Sequence, residues 1–83
     1  MTIDDEAIRA AARRIVLEVG DPEASKENML RFEELVFDWR VSLRRAGMSL
    51  EEVHAAADKL HEAMYQIAGE IVAAGGWVEP GEA

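Results

Sequence analysis

Apolar positions recur along the chain every three or four residues in three blocks, and each block is bounded by residues that start or stop helices. In the first block Ile8, Ala11, Ala12, Ile15, Val16 and Val19 share one face, while Arg9, Arg13 and Arg14 fall on the other. Thr2 followed by Asp5 reads as an N-cap with an acid at the third helical position, and the acids of the first turn suit the positive end of a helix dipole. Gly20 closes this helix, which is expected over about 3–19 and whose alanines permit close approach to its neighbours.

The second block runs from Pro22, or from a few residues later with Ser25 as a competing cap, to about residue 46. It is apolar on two sides. Met29, Phe32, Leu35, Val36, Trp39 and Leu43 make the main face, and Leu30, Phe37 and Val41 make a narrower one. Glu33, Arg40 and Arg44 separate the two faces on one flank, and Glu34, Asp38 and Arg45 on the other. A helix with two apolar sides needs cover on both, so this helix is either the central element or one of its faces is an interface.

The third block has the clearest start. Ser49-Leu50-Glu51-Glu52 is a capping box, with Met48 and Val53 at the staple positions around it. Leu50, Val53, Ala57, Leu60, Met64, Ile67, Ile71 and Ala74 then alternate three- and four-residue steps, the seam of a coiled-coil-like bundle. A helix over 49–74 would be about 39 Å long at the usual helical rise, longer than the first helix can cover. Part of its seam therefore needs the tail (75–83) or a second chain. The expected fold is all-α: a three-helix bundle, or a helical hairpin plus an N-terminal helix, in one domain over 1–83, with a long C-terminal helix and dimerisation as one way to complete it.

Charge alters the picture of the third helix. The net charge is −8, and residues 48–83 carry most of it, with seven acids (Glu51, Glu52, Asp58, Glu62, Glu70, Glu79, Glu82) against one base, Lys59. An acidic surface of this kind disfavours nucleic acid and anionic membrane, and it steers a basic protein partner inward. Such a charge also serves plain solubility. With no cysteine there is no disulfide and no thiolate chemistry. No apolar run approaches the roughly 20 residues that span a bilayer. The acidic start Met1-Thr2-Ile3-Asp4-Asp5-Glu6 does not read as a leader, and a cytoplasmic location is expected.

Candidate chemistry is sparse. Glu51-x-x-His54 and Asp58-x-x-His61 have the acid–x–x–His spacing that can present two ligands to one metal. The two histidines, however, stand about 10 Å apart along one helix, too far to share an ion. Neither a phosphate-binding glycine loop nor a Ser-His-Asp order occurs. No catalytic residue, metal ligand or cofactor is assigned, and an enzyme is not expected.

Two local resemblances bear on function. Leu43-Arg44-Arg45-Ala46-Gly47-Met48-Ser49-Leu50-Glu51-Glu52-Val53 resembles the first helix, turn and second-helix start of bacterial helix-turn-helix regulators, and implies a DNA-binding regulator that uses the turn at Gly47. It departs from that pattern in its long unbroken third helix, whose sole base is Lys59. Glu33-Glu34 and Glu51-Glu52 resemble the acid pairs with which all-helical nucleotide pyrophosphatases hold magnesium, which would imply a metal-dependent hydrolase; Asp38 and Asp58 stand at the wrong offsets for the second pair that signature requires.

An interaction surface accounts for more of the residues. His54, His61, Tyr65 and Val72 line a mixed aromatic and apolar stripe beside the seam, with Asp58 among them, and Gly69 thins the helix there. Trp77, after Gly75-Gly76, can cap the bundle or anchor a partner. With Leu30, Phe37 and Val41 these residues form the candidate interface, and Glu51, Glu52, Glu62 and Glu70 form the candidate acidic surface. In size and charge the chain resembles accessory proteins of phages and mobile elements, some of which occupy basic nucleic-acid-binding grooves of host complexes. The expectation is a non-enzymatic adaptor or inhibitor that works as a homodimer.

Overall fold

A computed structural model describes residues 3–76, which form three helices: α1 (Asp5–Val19), α2 (Lys26–Arg45) and α3 (Leu50–Ala73). No strand occurs among the described residues. The helices pack as an elongated three-helix bundle, 43 × 23 × 16 Å.

Local hydrogen bonding sets the helix ends and corrects two expectations. Asp4 caps α1, its Oδ1 accepting from the Ala7 backbone N–H at 2.7 Å, so the helix starts at Asp5 and not at Ile3. The expected cap, Thr2, lies outside the described residues. Pro22 does not open α2. The Asp21 side chain accepts from the Glu23 N–H at 2.9 Å and the Asp21 carbonyl from the Ala24 N–H, which holds this stretch as a turn. Ser25 wins as the cap, with its hydroxyl accepting from the Asn28 N–H, and Asn28 in turn donates its side-chain amide to the Asp21 carbonyl at 2.8 Å.

The junction between α2 and α3 is tightly specified. The Met48 N–H donates to the Leu43 carbonyl and the Gly47 N–H to the Arg44 carbonyl, the paired bonds of a Schellman stop, with Gly47 at φ +102° where a side chain would be strained. Arg44 Nη1 also donates to the Met48 carbonyl at 2.8 Å. One residue later the capping box is complete: the Ser49 hydroxyl accepts from the Glu52 N–H, and the Glu52 carboxylate accepts from the Ser49 N–H at 3.1 Å. The Ser49 backbone N–H, with the Ser49 side chain beside it, holds the Glu52 carboxyl below its usual pKa range, because the ionised form is the better acceptor. Met48, expected to staple this corner, is almost completely buried.

The core is a single cluster. Ile8, Ala12, Ile15 and Val16 come from α1, Phe32, Val36, Trp39 and Leu43 from α2, and Val53, Ala56, Leu60 and Ile67 from α3, with Met48 at the corner. α1 runs antiparallel to α2, with Glu18 near the hairpin paired to Arg31, so α1 and α3 run in the same direction. They form the most closely packed pair, and buried alanines on both (Ala12, Ala56, Ala57) let their backbones approach. Two exposed ion pairs fasten their edges, Lys59–Asp5 at 3.1 Å and Arg9–Glu70 at 3.0 Å. Each contributes no more than about 1 kcal/mol at such exposure.

The expected apolar faces need revision at their margins. Met29 belongs to no buried face and is half-exposed, while Leu35 is only half-buried. Leu50, the first residue of α3, is exposed, and Ala74 is an exposed C-cap. Ala56, outside the expected seam, is buried with it. α2 is not a central helix: Phe37 is 61% and Leu30 54% exposed, and Val41 is half-buried. Met64 and Ile71, in the second half of α3, are half-buried although α1 runs beside that half, as the Lys59–Asp5 and Arg9–Glu70 pairs show; Met64 instead faces the opening toward α2.

Candidate functional site

Between α2 and α3 the bundle opens into a cleft of about 590 Å³. Its floor is apolar: Phe32 and Val36 of α2, Met64 and Ala68 of α3, and Val16 of α1. Its rims are mixed, with Met29, Glu33, Phe37 and Arg40 along α2, His61 and Tyr65 along α3, and Pro22 and Glu23 at one end. The cleft follows from side-chain size. α2 meets the bundle here through Phe32, whose ring holds its axis off, whereas α1 meets α3 partly through alanines. Among the expected interface residues Phe37, His61 and Tyr65 come together at this cleft; Leu30, Val41, His54 and Val72 do not line it. Trp77 lies outside the described residues.

Met29 and Met64, read from periodicity as core positions, and Glu33, Arg40 and Ala68 are cleft residues that were not among the candidate interface residues. A signal for them existed in the methionines: two flexible, polarisable side chains at the margins of two apolar faces are suited to a surface that accepts varied shapes.

A second feature runs along the outside of α3. Glu51, Asp58, Tyr65 and Val72 recur every seven residues and all are exposed, so they form one ridge on the solvent side of the helix. Tyr65 is 80% and Val72 64% exposed. His54 and His61 stand exposed on one side of this ridge, Glu62 and Gly69 on the other. The first half of the ridge is acidic and the second apolar. Glu51, Asp58 and Glu62 take part in no ion pair among the described residues, whereas Lys59 is engaged by Asp5 and Glu70 by Arg9. Of the expected acidic surface, then, Glu51 and Glu62 are available to a partner, Glu70 is shared with α1, and Glu52 is committed to the cap.

No group of three or more histidine, aspartate and glutamate side chains converges as a metal site among the described residues. No helix among them is long and apolar enough to cross a membrane. The segment that resembles a helix-turn-helix is a well-made helix stop followed by a well-made helix start, and α3 continues from it for 24 residues without a break. No family model matches the chain, and neither a curated protein nor a solved structure shows significant similarity to it.

Proposed function

We propose that the chain is a helical interaction module, a non-enzymatic adaptor or inhibitor that works in the cytoplasm as a homodimer and presents the outer ridge of α3 to a protein with a basic surface. The observation that supports this reading is the ridge itself. Tyr65 and Val72 expose large apolar side chains in line with the acids Glu51 and Asp58, on the side of α3 opposite the core. Acids in the first half would attract and orient a basic partner, and the aromatic and aliphatic pair in the second half would supply the desolvated contact that holds it. A partner segment with bases followed by apolar residues at helical spacing fits the ridge along its length.

The test is capture from the native host with the parent chain and with Asp58→Lys and Val72→Ser variants, each checked for unchanged helicity. The reading expects one partner with a basic surface, retained by the parent, released by moderate salt and lost with either variant. Capture that is indifferent to both substitutions and to salt would overturn it.

A further inference from the structure

We propose that the cleft between α2 and α3 receives the Phe37 side chain of a second copy of this chain, the two copies being related by a two-fold axis that crosses α2 beside Phe37. This rests on the homodimer reading above and names the surface that makes it.

The first argument is shape. Phe37 is both a projecting apolar side chain and part of the rim of an apolar cleft. A knob directly beside a hole is the arrangement a two-fold axis needs, since one rotation seats both knobs in both holes and the contact closes on itself. The knob is uncovered in a single chain, and the floor that would receive it (Phe32, Val36, Met64, Ala68) is apolar. Seating it removes exposed aromatic surface from water on both copies.

The second argument is charge. Glu33 lies four residues before Phe37 on the cleft rim and Arg40 three residues after it. If a second α2 crosses antiparallel about Phe37, Glu33 of each copy comes opposite Arg40 of the other, and two equivalent ion pairs form. A parallel crossing would set glutamate against glutamate and arginine against arginine. The same antiparallel register brings Leu30 of one copy toward Val41 of the other, pairing apolar positions that sit outside the core of the single chain. A strongly basic occupant would meet Arg40 and a strongly acidic one Glu33, so the rim suits a partner whose charge order is its own reversed. This dimer leaves the acidic half of the α3 ridge uncovered.

The experiment is sedimentation velocity on the full chain at low salt up to high micromolar concentration, with helicity followed in parallel. The parent sediments as a dimer, and Phe37→Glu as a helical monomer. Glu33→Arg alone and Arg40→Glu alone each weaken the dimer about tenfold or more, because each sets like charge against like. Mixing these two single variants restores dimer as a heterodimer, since every pair across the axis is then complementary. Should Phe37→Glu fail to fold, the charge exchange still decides the matter. A parent that remains monomeric overturns this inference and the homodimer reading together. A parent dimer that ignores the charge exchange overturns this inference alone.

Discussion

The two interfaces that α3 makes differ in kind. Toward α1 it presents alanines to alanine-containing turns, the backbones lie close, and exposed ion pairs fasten the edges. Toward α2 it presents Met64 and Ala68 to a helix held off by Phe32, and the result is a cleft with half-exposed walls. One helix thus supports a closely packed face, with only small hollows at its edges, and an open face with unsatisfied apolar surface. Where small residues meet, packing is completed within the chain; where large ones prop the helices apart, completion needs something from outside.

The contrast can be tested by altering volume on each side. Leu60 is completely buried in the seam, so Leu60→Ala should destabilise the fold by roughly 2–5 kcal/mol, read from chemical denaturation. For a chain this small that is a large part of the total stability. Unchanged unfolding would show that the closed face is not the stabilising one. Enlargement should separate the faces further. Ala12→Leu adds volume at a completely buried position and should cost about 1–3 kcal/mol. Ala68→Leu adds the same volume into the cleft and should leave stability within about 0.5 kcal/mol of the parent. Equal penalties for the two would remove the distinction between the faces.

A smaller effect belongs to the corner that holds α2 against α3. Ser49→Ala removes the hydroxyl that accepts from the Glu52 N–H, and a loss of roughly 0.5–2 kcal/mol is expected in thermal or denaturant unfolding. The loss should be pH-dependent. The Glu52 pKa is lowered in the fold, so its contribution is present above the ordinary carboxylate range and disappears as pH falls through the lowered value. Ser49→Ala keeps the backbone N–H that chiefly lowers this pKa and removes only the side chain's share, so the gap between parent and variant should narrow at acid pH without closing, and a gap that closed fully would show that the hydroxyl acts only through the Glu52 charge. The smallest effect is a gain. Nothing lies within 4 Å of a side chain added at Gly69, so Gly69→Ala should stabilise α3 by about 0.5–1 kcal/mol. Loss of partner capture in that same variant would mark Gly69 as a contact on the ridge.

The three helices, the capping box and most of the core could be read from periodicity because each depends on residues close in sequence. The start of α2 was ambiguous for the same reason: Pro22 and Ser25 both make sound local beginnings, and the Asp21 turn, sealed by Asn28, decides between them. Leu50 fits a strict three-and-four spacing yet faces water, since the repeat describes direction around a helix and not whether a neighbour stands there. Met29 and the cleft were out of reach on the same grounds. They depend on the separation of two helices, set by Phe32 acting together with what faces it. The acidic and apolar residues of the α3 ridge were legible individually; that Glu70 and Lys59 are engaged by α1 while Asp58 is not required the relative placement of all three elements.

The closest packing joins the first helix to the last, and this bears on the order of assembly. The α2–α3 hairpin is specified by a stop and a start a few residues apart, so it can form early from local contacts. The α1–α3 face joins residues 54 to 61 positions apart, as the Lys59–Asp5 and Arg9–Glu70 contacts show, and a loop of that length must close before any of it is gained. On this ground we expect the docking of α1 against α3 to be the late event on the folding path. Truncating Ile15 should chiefly accelerate unfolding, whereas weakening the Ser49 cap should chiefly slow folding, and the two limbs of a chevron plot would separate them.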